Sequence, residues 1–382
     1  GVSPTMVSDG MMHFGSVDLP MGEFWFRSPT HDKPNDILDA IHGAHAYGKK
    51  IVQAEGFTEV RGTWDEPPAM IKTLLDRNYA LGVNRIFYHV NAHNPWLDRR
   101  PGMTLDGIGL FFQRDNTWFE DGGRGLTDYM RRCQAMLQYG TPVVDIAVYT
   151  GEEIPRRAIL PDRLVPSLPG LFGEERVNAE RERLANIGQP LRTMPVGVTH
   201  SANMADPEKW IDPLRGYTYD SLNKDALLSR DTLGYPILVL PLAHPLSPDP
   251  ELSPETEAKV AKFKAAGAIV PTLPYTDADF SSFGITPDAL LPEEIAWCHR
   301  RNVSEGIDLY FVSNQNESPR DITASFRISG RIPELWNPMD GSIDRNLTWY
   351  IEDGRTVVEF ALASAGSTFV VFREPTSATY GT

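Results

Sequence analysis

Cysteine is nearly missing from this chain: Cys133 and Cys298 are the only two, far apart and without metal-site spacing. That sets aside a disulfide framework and a cysteine zinc site. No apolar run reaches the roughly 18 residues that a membrane-spanning helix needs. Basic clusters are lacking too, and with a net charge of −15 neither a nucleic acid nor a membrane surface is expected as a partner. No G-x-G-x-x-G or G-x-x-x-x-G-K-[ST] stands at a strand end, so no nucleotide or organic cofactor is expected. The opening GVSPTMVSDG has neither a charged n-region nor an apolar h-region, so it does not read as a signal peptide.

What is present is a chain of 382 residues, 41% hydrophobic and 10% aromatic, enough for two or three domains with real cores. Its centre of gravity is Lys50 to Trp96. Two short apolar runs, Ile51–Ala54 and Arg85–Val90, stop abruptly in Glu55, Thr58 and Trp64 and in His89, Asn91, His93 and Trp96. Strands buried on both faces are continuously apolar, and chemistry collects on the loops at their C-terminal ends. The pattern is that of the rim of a parallel α/β barrel. Carboxylate, imidazole and indole at such a rim suit a carbohydrate, because a sugar ring offers an apolar face to an indole and hydroxyls to polar groups.

Around these strands the spacing predicts helices over 35–48, 69–82 and 126–139, giving β–α–β alternation. Gly1–Phe26 reads as an irregular, Met- and Trp-rich loop entering a site, with Asp18 and Glu23 on it. Residues 91–125 form a loop too long for a mere connector. The whole of 1–140 reads as the last part of a (β/α)8-type, TIM-like barrel. Residues 141–300 repeat buried strands (VVDIAVYT, YPILVLPL, AIVPTLP) with capped helices, the pattern of a doubly wound, flavodoxin-like lobe. A Pro-rich stretch, 154–173, interrupts it, and GYTYDSLNKDALL reads as a turn entering a helix. From 301 the period becomes two, and 301–382 reads as a small antiparallel β-sandwich. The predicted fold class is therefore α/β, with a sandwich appended.

Three carboxylates compete for acid and base duty: Glu23 in GEFW, Glu55 in AEGFT and Glu152 in YTGE. Glu55 ends a buried strand between Ala54 and Phe57, an apolar setting that favours the protonated form. A glutamate at a strand end is also commonly a helix-cap partner or a solvated loop residue. His89 and His93 sit at a strand-to-loop junction, where i,i+4 spacing does not place them on one face, so they suit sugar hydroxyls or the loop itself more than a metal. Asn91 belongs to the same rim. Trp96 and Trp118 stand among polar residues and read as a stacking platform or as pins for the long loop; Trp336 reads as sandwich core.

The chain resembles the C-terminal half of the glycoside hydrolase family 106 α-L-rhamnosidases, whose barrel is related to that of the family 42 β-galactosidases. The resemblance rests on an ordered set of stretches: GEFW at 22–25, AHAYGKK at 44–50, AEGFT at 54–58, GVNRIFYHVNAHNPW at 82–96, RDNTWF at 114–119, YMRRCQAMLQYGTPVVDIAVYTGE at 129–152, YDSLNKDALL at 219–228, PELWNPMDG and GSTFVVFR. Two features depart from the pattern: Gly56 replaces the family's usual Ser, and 154–173 is an expansion. Family members are about twice this length, so the early barrel strands would come from a preceding segment lost by truncation or from another chain.

The resemblance implies hydrolysis of a terminal α-L-rhamnosyl bond with inversion, and calcium aiding substrate binding. For a bacterial source it also implies a periplasmic or secreted location. One of Glu23 and Glu55 would be the acid and Glu152 the base, with His89, Asn91, His93, Trp96, Trp118 and Asp18 around the sugar. An inverting pair is held roughly 6.5–9.5 Å apart so that water fits between. Asp18, Asp98 and Asp115 are the carboxylates at hand for calcium, and no ligand set is specified. A family 42-like β-galactosidase, or a non-catalytic carbohydrate-binding fragment of a larger enzyme, remain alternatives.

Overall fold

A computed structural model describes residues 8–27, 34–59, 64, 66–96, 98–99, 101–105, 108–109, 122–154, 156–185, 211–242 and 250–382. Its first unit is built from α1 (Gly10–Gly15), β1 (Met21–Trp25), α2 (Pro34–Ala46), β2 (Gln53–Thr58), α3 (Pro68–Leu81), β3 (Arg85–Tyr88) and α4 (Arg124–Leu137). The strands form a parallel three-stranded sheet in the order β1-β2-β3. The Met-rich opening is thus not an irregular loop. Asp9 caps α1 by accepting from the Met12 amide, and Met11 and Phe14 are buried; their side chains serve the core.

The two faces of this sheet differ. Gly22, Phe24, Ala54 and Gly56 are buried towards the helices; a Cβ on Gly22 would come within 2.5 Å of the Asp36 carbonyl oxygen. The register pairs Glu23 with Glu55 and Glu55 with Phe87, so these three share the opposite face, where Phe87 is 48% exposed.

The second unit follows β4 (Thr141–Pro142) and contains β5 (Ile146–Tyr149), the single-turn helices α5 (Pro161–Leu164) and α6 (Pro169–Phe172), α7 (Glu174–Ala185), β6 (Tyr219–Leu222), α8 (Lys224–Ser229), β7 (Ile237–Val239) and α9 (Pro254–Ala265). Its parallel sheet has the order β6-β5-β7. Strand β6 falls where a turn is expected, because buried Asp220 and Ser221 find polar partners from other elements. Of AIVPTLP, Ile269 alone pairs, through an isolated bridge to Ile237. The Pro-rich stretch is built in: Leu164, Leu168 and Leu171 belong to the lobe core.

The remaining strands are β8 (Ala289–Leu290), β9 (Ile295–Asn302), β10 (Ile307–Asn314), β11 (Arg320–Phe326), β12 (Arg331–Trp336), β13 (Ile343–Asp344), β14 (Thr348–Glu352), β15 (Arg355–Leu362), β16 (Ser367–Pro375) and β17 (Tyr380–Gly381). They form two sheets of six and five strands, β13-β12-β16-β10-β9-β4 and β17-β14-β15-β11-β8. The antiparallel pairing begins ahead of 301: β8 and β9 belong to these sheets, and β4 pairs with β9. Trp297, Tyr310, Phe326, Trp349 and Phe372 lie in the core between them. Trp336 is instead partly buried against the core of the first unit.

That first core runs on past the seam between this unit and the six-stranded sheet. Phe24, Ile41, Leu75, Tyr79 and Tyr129 continue into Leu309, Phe311, Phe369 and Val371 of the six-stranded sheet. On α3 Lys72 Nζ bonds Asp76 Oδ2 of the same helix at 2.5 Å and, across the seam, the Ala365 carbonyl at 2.8 Å and Ser367 Oγ at 3.0 Å, while its ammonium lies 4.6 Å from the Tyr129 ring centre.

Candidate active site

Glu23 and Glu55 project from neighbouring parallel strands at matched register, which places their Cα atoms about 4.8 Å apart. Both are partly buried. Just beyond them Trp25 pairs with Thr58 instead of Phe57, so β2 carries an extra residue there. Phe57 has φ 67° and is fully buried, an unusual backbone for a bulky side chain. The irregularity turns Thr58 back, and its hydroxyl donates to Glu55 Oε1 at 3.0 Å. Bulges at sheet rims re-aim side chains in this way.

Three further charged residues complete the C-terminal edge. Arg27 Nε lies 2.5 Å from Glu59 Oε1 and its Nη2 lies 2.9 Å from Glu66 Oε1; the two glutamates are 4% and 1% exposed. Sequence reasoning missed this cluster. Its members are 32 and 39 residues apart, and the one available signal was that Arg27 and Glu59 each closely follow a strand end.

His89 extends β3, its amide donating to the Gly56 carbonyl at 3.3 Å, and its Nδ1 is buried with no hydrogen-bond partner. Asn91 and His93 are exposed on the segment that follows. Trp96 is 47% exposed, with the Arg99 guanidinium 5.2 Å from its ring centre. Asp18 and Asp98 are exposed, and Trp118 and Asp115 lie outside the described residues.

Glu152 is not brought to this edge. It follows β5 in the other parallel sheet, where Oε1 accepts from Tyr149 Oη, Ser253 N and Ser253 Oγ at 3.0, 3.2 and 3.2 Å, and Lys224 Nζ lies 2.7 Å from Oε2. Burial raises its pKa, but the bonds from Lys224, Thr256, Ser253 and Tyr149 outweigh this and hold it at about 2. In this geometry it secures the N-terminus of α9, whose N-cap is Ser253.

Among the described residues no group of three or more His, Cys, Asp or Glu is placed to hold a metal ion. The buried pair Glu59 and Glu66 already has its cation, the Arg27 guanidinium. Two carboxylates already neutralised by a guanidinium do not by themselves offer a calcium site.

Two carboxylates thus stand at matched register towards the C-terminal edge of a parallel sheet, on a chain that also carries two antiparallel sheets. The model of the family described as alpha-L-rhamnosidase matches residues 1–193 and 255–350. The chain belongs to that family, glycoside hydrolase family 106. A Formosa agariphila protein named "Putative beta-glucuronidase" is 30% identical over 376 residues, 96% of this chain and 30% of that one. The rhamnosidase of Novosphingobium sp. PP1Y superposes with a TM-score of 0.71 at 24% identity, over 98% of this chain and 36% of its own. A β-galactosidase from Bacillus circulans sp. alkalophilus gives 0.50 at 10% identity, over 95% and 61%. The chain thus spans about a third of the length of the first two.

Proposed function

We propose that this chain supplies the carboxylate pair of an exo-acting α-L-rhamnosidase, with Glu23 and Glu55 as that pair. The observation that carries the reading is their register on adjacent strands, in a chain of the rhamnosidase family. Glu55, steadied by the Thr58 hydroxyl, is the general acid that protonates the departing oxygen. Glu23 is the base that takes a proton from the attacking water, a role that requires the two side chains to splay from their strand spacing of about 4.8 Å to the roughly 6.5–9.5 Å of an inverting pair. His89, with an unfilled nitrogen at the edge, donates to or accepts from a sugar hydroxyl, and exposed Trp96 offers its ring to the apolar face of the pyranose. Asn91 and His93 lie within the same segment and line the approach.

The test is hydrolysis of an aryl α-L-rhamnoside by the full protein, with the product anomer followed by NMR. Glu23→Gln and Glu55→Gln are each expected to lower kcat by about 10³-fold or more, with β-rhamnose as the first product. Turnover within tenfold of the parent in either variant rejects the pair. An aryl β-D-glucuronide assayed alongside gives the name of the 30%-identical relative its own trial.

A further inference from the structure

The second site lies at the other end of the strands. A cleft of about 780 Å³ opens where the end of α2, β4, the start of β6 and the end of β9 converge. Lys50 precedes β2, and at about 3.3 Å per residue it stands roughly 16 Å from Glu55, so this cleft is separate from the candidate active site.

Its lining is cationic on a strongly acidic chain. Lys49, Lys50, Arg230, Arg300 and Arg301 contribute to the wall, against a single carboxylate, Asp220. That carboxylate is already engaged, by His45 Nδ1 at 2.8 Å and by the Tyr235 hydroxyl at 2.9 Å. Arg301 is paired with Asp308. The other four cations have no carboxylate partner among the described residues.

Two of them are held in place by backbone carbonyls. Arg300, only 5% exposed, donates from Nε to the Tyr139 carbonyl at 3.0 Å and from Nη2 to that of Gly140 at 2.8 Å. Arg230 donates to the carbonyls of Leu233 and Ala46 at 3.1 and 2.9 Å, and its Nε is buried without a partner. Carbonyl bonds fix a guanidinium but leave its charge uncompensated, and an unpaired buried charge is costly unless an anion meets it. Fixed guanidinium groups beside two lysines match the planar oxygens of a carboxylate or the tetrahedral ones of a sulfate. The volume is that of a small-ligand site and exceeds what one inorganic ion fills.

We propose that this cleft is an accessory site for an oxyanion carried on a saccharide, a uronate carboxylate or a sulfate ester. It is independent of the carboxylate pair on the opposite edge. Binding is measured by calorimetry at low ionic strength with D-glucuronate, inorganic sulfate and D-glucose. Glucuronate and sulfate are expected to compete for one site while glucose does not bind. The Lys49→Ala/Lys50→Ala variant should keep its circular dichroism spectrum and bind glucuronate about tenfold more weakly, a charged hydrogen bond's worth. Glu55→Gln should bind as the parent does, which separates this site from failure of the proposed catalysis. Glucose binding as tightly as glucuronate, undiminished glucuronate affinity in the lysine variant, or binding of neither glucuronate nor sulfate would each overturn the assignment.

Discussion

Lys224 Nζ stands 2.7 Å from Glu152 Oε2 and 2.6 Å from Glu255 Oε1, bridging the end of β5 to the first turn of α9. Glu152 therefore acts as an anchor between two elements. Glu152→Gln is expected to cost about 1–2 kcal/mol through lost cap and ion-pair bonds. It should leave kcat for the rhamnoside within a few-fold of the parent. Thermal unfolding and steady-state kinetics on the same preparation check this; a collapse of kcat with an unchanged Tm restores Glu152 as the base.

The Lys72–Asp76 pair at the seam gives a second prediction. Asp76 is fully buried and also accepts from Tyr129 Oη and, at 3.1 Å, from Ser313 Oγ. Asp76→Asn leaves the Lys72 ammonium without its charge partner and should destabilise the protein by about 3 kcal/mol. Lys72→Met combined with Asp76→Leu should cost less than Asp76→Asn alone. Urea unfolding of the three variants measures it, and a double variant worse than the single one contradicts the account.

His299 in the sandwich makes stability depend on pH from both sides. It is fully buried, with Nδ1 2.7 Å from Asp288 and Nε2 2.8 Å from Asp308. Burial lowers its pKa, but the two carboxylates outweigh burial and raise it above 6.5; Asp288 and Asp308, which burial would raise, are held below 3.8 chiefly by His299. A raised histidine pKa gives stability present below 6.5 and lost as pH climbs through the folded value. Lowered aspartate pKa values give stability present above 3.8 and lost as pH falls through theirs. Tm should peak between these limits, and His299→Gln should flatten the alkaline decline. An unaltered alkaline limb in that variant counts against the argument.

The resemblance leads one to expect Ser at position 56, and the surroundings of Gly56 leave little room for one. A Cβ there would lie 2.9 Å from the Phe24 ring and 3.0 Å from Ile86 Cγ2, so these side chains fill the space a serine would need. Gly56→Ser should cost about 1–3 kcal/mol from overpacking. A matching loss of kcat is expected, since Glu55 is the preceding residue. Pairing the exchange with Ile86→Val should recover part of the Tm; no recovery speaks against a steric cause.

Much of this architecture was legible in the chain. The apolar spacing of 69–82 and 126–139 yields helices within a few residues of those observed, and the period-two run from 301 yields antiparallel strands. What escaped was decided by distant partners. Tyr219–Leu222 carries Asp and Ser, unlikely strand residues, yet Asp220 is satisfied by His45 and Tyr235, and Ser221 Oγ meets His42 Nδ1 at 2.9 Å. Glu23 and Glu55 could each be named as carboxylates, but their shared register depends on β1, which reads as loop when Met21–Trp25 is taken alone. The Arg27–Glu59–Glu66 cluster is likewise a product of folding.

The hydrophobic interior passes from Phe24 and Tyr79 to Phe311 and Phe369 as one cluster, with the Lys72–Asp76 network beside it. The antiparallel appendage is therefore not a detachable module but a foundation. Cutting the chain before Ile307 would strip one wall from the carboxylate-bearing half, and calorimetry of the intact molecule should show those two parts melting in one endotherm.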